Sequence, residues 1–346
     1  MHRMTDDPFQ SFVTLGVPTV QGGTPTAYGV PLVRTEDDLR DADAAFMGIL
    51  WGAPVQPEYI YTGYGANFGT TGASPGQFRF TSLRHRSGYL PELDIAVFDA
   101  VRLVDFGDIA AGDDMEQLLV RVQNNVSAMR RAGCIAITYG GNAGPSSYAV
   151  FRGIAQDVPG SVAIVNFDAH GDNKPADWRH EPPTNSRWGS TWVHQMLELP
   201  EADTSRYRHV GLRGPANDAG VLDRFRAHGV EREQIVSYGE LKHARRRGFD
   251  EWLSEWANEA VGDAASVWVA VDVDVLDMGS NPHYADEPLG PSADELIDMV
   301  AAVAAVAGRE RFAGLAFMAV PPAAVSLHVI ASYVLLHALA ATVEPD

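Results

Sequence analysis

The sequence predicts an α/β fold: three layers, α/β/α, around a central and mostly parallel sheet. Three observations carry that reading. Short apolar runs recur along the chain, bounded by Gly, Pro and Asp. They are apolar at nearly every position instead of at alternate ones, which is what strands buried on both faces require. Stretches of helical periodicity fall between them, and that alternation covers both faces of a parallel sheet with crossover helices.

Taken in order, Ala44–Leu50 (AAFMGIL) is the first strand, and Val101–Phe106, running into Gly107-Asp108, is the second. Residues 114–132 place apolar side chains at 118, 119, 122, 126 and 129, the spacing of one helix face, with Asp113 or Asp114 as N-cap and Gly133 past the end. Ile135–Tyr139 follows as a strand, and Pro145 suits the first turn of the next helix. Val162–Phe167, Tyr207–Leu212, Gln234–Tyr238, Val267–Val273 and Phe312–Val320 continue the strands. Helical patterns lie near 218–228, 240–258, 292–307 and 323–342. Residues 1–40 are expected to be an N-terminal extension and 40–346 a single domain. Two polar, Gly/Pro-rich stretches, 52–80 and 171–189, are expected to be functional or interfacial loops. The first holds an aromatic stripe, Tyr59, Tyr61, Tyr64 and Phe68, read as an interface or core loop before a cation-binding one.

Composition narrows the function. Of 346 residues, 46% are hydrophobic and 21% charged, ordinary for a globular chain. Asp and Glu outnumber Lys and Arg by 45 to 26, so the net charge of −19 repels nucleic acid and anionic membranes. The one cysteine, Cys134, cannot form an intrachain disulfide and is expected to be a core residue. The start of the chain lacks a secretory pattern. The apolar segment 325–341 carries His328 and His337 and is too short to span a bilayer, so a cytoplasmic protein is expected. No G-x-S-x-G, H-E-x-x-H or phosphate-binding glycine loop occurs.

The chemistry gathers after two strands. VAIVNF is followed by Asp168-Ala169-His170-Gly171-Asp172, and VWVAV by Asp272-Val273-Asp274-Val275-Leu276-Asp277. In parallel sheets ligands sit beyond the carboxyl ends of the strands. Several ionised carboxylates gathered there need a compensating cation. Carboxylates with an imidazole suit Mn, Ni, Fe or Zn. A single Asp after a strand is ordinarily a turn cap; two such clusters on one sheet point to a metal.

D-A-H-x-D followed by D-x-D-x-x-D resembles the signatures of the ureohydrolase family, the arginases, agmatinases and related guanidino hydrolases. Weaker elements agree: Gly48 at the end of the first strand, Gly72-Ala73-Ser74-Pro75-Gly76-Gln77-Phe78-Arg79, Val104-Asp105-Phe106-Gly107-Asp108, and Gly211-Leu212-Arg213. The resemblance covers roughly residues 40–340 and implies an arginase-like fold. It also implies two metal ions activating a bridging hydroxide that releases urea from a guanidinium. Asp168 and Asp272 correspond to the bridging ligands, His170 and Asp274 complete one metal position, and Asp172 belongs to the other.

The sequence departs from that pattern in three places. G-G-D-H reads Gly140-Gly141-Asn142-Ala143, so a methyl group stands where the second position takes its imidazole. The His-Gly-Ser/Thr element reads Trp188-Gly189-Ser190, and neither His180 nor His194 fits the pattern. The Glu of the V-E-V-x-P-like strand end, partner of the guanidinium, is Ala319. A smaller change puts Met278 after Asp277. Metal binding, proton handling and substrate charge are each affected. No catalytic set is intact, and Asp168, His170, Asp172, Asp272 and Asp274 form a partial site for one divalent metal or for none.

The resemblance therefore implies a non-catalytic, structural or regulatory subunit. Its partner would be a catalytically intact ureohydrolase paralogue in a trimer- or hexamer-type hetero-oligomer. The complex would act on C–N bonds of linear amidines, a guanidino or biguanide compound such as metformin, giving guanylurea and dimethylamine. Two alternatives stand beside it: a single-metal hydrolase of an alkylated guanidine, active alone, and a binding or scaffold protein with a relic metal site.

Overall fold

The computed structural model describes residues 24–52, 71–110, 115–140, 145–156, 158, 161–175, 189–282 and 287–343. Its centre is an eight-stranded sheet, parallel throughout, in the order β4-β1-β5-β10-β9-β6-β7-β8. The strands are β1 (Ala44–Leu50), β4 (Leu103–Ala110), β5 (Ile135–Tyr139), β6 (Val162–Phe167), β7 (Ala202–Val210), β8 (Ile235–Val236), β9 (Ser266–Asp272) and β10 (Phe312–Met318). A separate antiparallel hairpin pairs β2 (Tyr89–Leu90) with β3 (Ile95–Ala96). The helices are α1 (Glu36–Arg40), α2 (Ser74–Ser82), α3 (Val97–Ala100), α4 (Met115–Arg131), α5 (Pro145–Ala155), α6 (Trp192–Leu197), α7 (Val221–Ala227), α8 (Tyr238–Arg247), α9 (Phe249–Val261), α10 (Ala293–Arg311) and α11 (Val325–Ala341).

Side chains of successive strand residues enter opposite layers. In β9, Val267, Val269 and Val271 join the core that holds α9, α10 and α11, while Trp268 and Ala270 join the core of α4, α5, α6 and α7. That two-sided burial is why the strands read as unbroken apolar runs. Ala27, Tyr28 and Leu39, within the first forty residues, are buried in these cores too. The segment 325–341 is a core helix, with Leu327, His328, Ala331, Leu335 and Leu339 buried. Among the described residues no helix is long and apolar enough to cross a membrane.

Two expectations needed correction. The stretch 52–80, expected to be loop, contains most of α2. The buried residues of α2 are Ser74, Pro75, Phe78, Arg79, Thr81 and Ser82, four of the six polar, so its periodicity is invisible on a hydrophobicity scale. The short helix α6, which the sequence reading did not include, begins beyond the loop expected at 171–189. The helix expected over 240–258 is two, α8 and α9, because Gly248 at φ 120° breaks it.

The weaker motif elements meet in one buried cluster. Arg79 on α2 donates from Nε and Nη2 to Asp105 on β4 at 2.8 and 2.9 Å, and from Nη1 to Asp108 at 2.5 Å. Asp105 also accepts from the Ala27 and Gly107 amides at 2.7 and 2.8 Å. Burial pushes the Asp108 carboxyl up to about 6, against the pull of Arg79. The Arg79 guanidinium lies 5.1 Å from the centre of the Phe46 ring. Gly48 makes room for this cluster: a Cβ there would stand 1.9 Å from Asp108 Oδ1 and 2.6 Å from Pro75 Cβ. Gly48→Ala is therefore expected to cost about 1–3 kcal/mol by overpacking, as read by chemical denaturation; a change under about 0.5 kcal/mol would show that the cluster yields freely.

Candidate metal centre

β6 and β9 lie side by side, and the chain leaves them in opposite directions, β6 toward β7 and β9 toward β10. The crevice opened at such a point is where parallel sheets take ligands. Asp168 and Asp272 stand at the two strand ends, with Asp274 one turn on; they are 1%, 3% and 3% exposed.

The loop after β6 is held from β9. Asp274 Oδ1 accepts from the Ala169 amide at 3.1 Å, and its Oδ2 is 3.0 Å from His170 Nδ1. Asp168 Oδ1 accepts from the His170 amide at 2.6 Å and Asp272 Oδ1 from the Asp274 amide at 3.1 Å. Burial works against ionisation of Asp274, but His170 and the Ala169 amide outweigh it and hold that carboxyl below its usual range. Burial, then the neighbouring carboxylates, push Asp168 and Asp272 well above theirs.

Asp168 Oδ2 is the telling atom: it is buried with no hydrogen-bond partner among the described residues. An acceptor left so is costly, and three buried carboxylates around it attract positive charge. One ligand atom each from Asp168, His170 and Asp274 lie within 4.8 Å of one another. Oxygen and imidazole donors at that spacing fit a divalent ion of the Mn, Fe, Ni or Zn kind.

Asp172 does not join that group. Its Oδ2 accepts from the Trp192 indole N–H at 3.0 Å, and its backbone is left-handed at φ 42°. Burial pushes its carboxyl up to about 7, opposed by His170 and Trp192. Asp277 caps its own turn instead, accepting from the Ser280 amide at 2.8 Å.

The arginase family's sequence profile matches residues 49–338. This chain belongs to the arginase family. Proclavaminate amidinohydrolase of Streptomyces clavuligerus is 29% identical over 222 residues, covering 62% of this chain and 66% of that protein. Formimidoylglutamase of Corynebacterium efficiens is 30% identical over 216 residues, covering 62% and 61%. These alignments span just under two thirds of either relative's length. The fold extends further: a Trypanosoma cruzi formiminoglutamase solved with Mn2+ superposes with a TM-score of 0.74, at 21% identity, over 93% of this chain and 100% of that one.

Of the departures from the arginase-family pattern, Ala319 is described. It is buried directly after β10 with φ 57°, a left-handed conformation that costs a residue with a Cβ about 1–2 kcal/mol. Asn142, Ala143 and Trp188 lie outside the described residues, as do His180, Tyr59, Tyr61, Tyr64 and Phe68. Ala319→Gly is expected to raise stability by about 0.5–1 kcal/mol, the relieved strain less the extra unfolded-state entropy. A thermal melt showing destabilisation would contradict the strain. His194 has other partners: its Nδ1 meets His228 Nε2 at 2.8 Å and its Nε2 lies 3.6 Å from Glu198. Cys134 is core, its thiol directed to the Leu39 and Ala42 carbonyls and pushed up to about 12 by burial.

Sequence reasoning missed Trp192, His209 and Asn217. Trp192 looks like any helix-core residue. His209 left little trace, since its strand also carries Asp203, Thr204, Ser205, Arg206 and Arg208 and its imidazole is one polar residue among several. Asn217, in a turn, left none. Arg213 of that motif clamps the loop after β9, its Nη2 donating to the carbonyls of Asp274, Leu276 and Glu287 at 2.8, 3.2 and 3.0 Å.

Proposed function

We propose that this chain is a non-catalytic subunit of a metal-dependent ureohydrolase complex, holding at most one divalent ion. The observation that carries the reading is the reduced donor set. Asp168, His170 and Asp274 suit one cation, whereas Asp172, the carboxylate assigned to a second position, is bonded to the Trp192 indole. The sequence agrees, with Ala143 in place of an imidazole and Ala319 in place of a carboxylate.

Asp168, His170 and Asp274 would hold the ion, with Asp272 beside them. Such an ion supplies Lewis acidity toward water or an amidine nitrogen. The chain's own groups do the rest. The buried carboxylates set a negative field at the strand ends, and the Trp192 N–H keeps Asp172 in place. No carboxylate at position 319 pairs with a guanidinium. The relatives' names, an amidinohydrolase and a formimidoylglutamase, support an amidine-type compound as substrate of the complex, with a guanidino compound or a biguanide such as metformin as the specific choice. The partner is an intact ureohydrolase paralogue in a trimer- or hexamer-type assembly.

Native mass spectrometry of the tagged chain, purified from its own host, tests this. The expected result is a complex with a second ureohydrolase-like chain, and with urea- or guanylurea-releasing activity that the isolated chain lacks. A homo-oligomer with one metal per chain that hydrolyses guanidines alone would overturn it in favour of the single-metal hydrolase. A metal-free chain whose Asp168 and Asp272 variants alter stability alone would favour the scaffold reading.

A further inference from the structure

We infer that His209 and Asn217 are positioning residues: together they fix the peptide groups on either side of His170, so that Asp168 and His170 face Asp274 before any cation arrives. The inference rests on the metal reading above and concerns two residues that play no part in it.

Two backbone bonds tie the loop Asp168–Gly171 to the end of β7, the Asp168 amide to the Val210 carbonyl at 2.9 Å and the Arg213 amide to the Ala169 carbonyl at 3.1 Å, while the Asp168 carbonyl and the Gly171 amide are held by side chains. His209, wholly buried in β7, sits beside the first. Its Nε2 donates to the Asp168 carbonyl at 3.1 Å, and its Nδ1 accepts from the Tyr207 hydroxyl at 3.1 Å. Burial holds this ring neutral, so the carbonyl bond selects the tautomer with hydrogen on Nε2. Gly211 lets β7 come this close: at φ 108°, a Cβ there would meet the Asp168 carbonyl oxygen at 3.0 Å and Val275 at 2.5 Å.

Asn217 brackets the other side. Its Nδ2 donates to the Ala169 carbonyl at 3.0 Å and its Oδ1 accepts from the Gly171 amide at 2.9 Å, one bond on each flank of His170. The same Nδ2 donates to the Arg213 carbonyl at 2.6 Å, tying the bracket to the arginine that clamps the loop after β9. The Asn217 amide is thus linked to the second ligand-bearing loop through Arg213. A carboxylate in its place would keep the acceptor and lose the donor; a methyl group would lose both. Groups that orient ligands from behind are typically worth about 10–100-fold in metal affinity.

The test uses the full chain and manganese alone, by titration calorimetry, with hydrogen exchange on residues 164–175 in chelated protein and thermal midpoints as a control for folding. His209→Leu and Asn217→Ala should each weaken Mn2+ about 10–100-fold. His209→Gln, which can still donate to the carbonyl, should recover affinity to within a few-fold of the parent. The Gly171 amide should lose protection in Asn217→Ala without any metal present. Leu and Ala variants that bind Mn2+ like the parent, or a Gly171 amide that exchanges unchanged, would overturn the inference. If the parent chain binds no Mn2+, the metal reading fails on its own and the exchange result alone decides the bracket: lost protection supports it, unchanged protection refutes it.

Discussion

Arg79→Met is expected to destabilise the chain by about 3–5 kcal/mol, the range for stripping one partner from a buried ion pair. Arg79 is 0% exposed and its guanidinium supplies three of the donors to Asp105 and Asp108. Methionine fills much of the volume but leaves two carboxylates buried without a counter-charge. The loss should depend on pH with a definite sign. Asp108 titrates at about 6 in the folded chain, against an ordinary 3.8. A carboxyl raised in this way contributes stability below about 3.8 that is lost as pH rises through about 6. Removing Arg79 raises Asp108 further, so the variant should suffer less at pH 5 than at pH 8. Urea denaturation of both proteins at the two pH values gives the answer. A loss below about 1 kcal/mol at pH 8, or one that grows on acidification, would mean that the cluster is not a unit.

Asp168→Asn should change sign with metal. In chelator, the parent keeps Asp168 Oδ2 without a partner among the described residues, beside the carboxylates of Asp172, Asp272 and Asp274. Asparagine retains the oxygen that accepts from the His170 amide and places an N–H donor at the Oδ2 position at any pH, where the parent has a carboxyl that burial and its neighbours push well above the usual range. In alkaline buffer, where ionising that raised carboxyl costs the parent, the variant is expected to be the more stable by about 1 kcal/mol, the worth of one hydrogen bond. With Mn2+ at a hundred times its Kd, the parent gains about 2.7 kcal/mol by mass action. The variant, lacking the charge, gains little. Their melting curves should therefore cross in order between chelated and manganese-loaded buffer. A parent indifferent to Mn2+, Ni2+, Fe2+ and Zn2+ alike would sink the metal centre, while a variant equally stabilised by Mn2+ would remove Asp168 from it.

These two experiments separate the halves of the molecule's acidic chemistry. The Arg79 cluster joins α2 to β4 and answers for the architecture near Gly48. The Asp168 cluster joins β6 to β9 and answers for the site. Both are buried carboxylate groups carried by the same sheet. They differ in that one has its cation built in from the chain, and the other has an acceptor that no donor among the described residues meets.

Much was already legible in the sequence. Ala44–Leu50, Ile135–Tyr139 and Val162–Phe167 are strands to the residue, because a strand buried on both faces must be apolar at every position and that demand is local. The placement of Asp168, His170 and Asp274 at strand ends followed, since a parallel sheet sends all its carboxyl ends to one side. Tertiary structure decided what local pattern cannot carry. It made a helix of Ser74–Ser82, whose buried face includes an arginine that is stable there only because Asp105 and Asp108 come from another strand. It paired Asp172 with Trp192, twenty residues away. It brought His209 and Asn217 to the peptides around His170. Hydrophobic burial is written residue by residue with the period of the strand or helix, whereas a hydrogen bond between polar groups far apart in the chain exists only once the fold has brought them within about 3 Å.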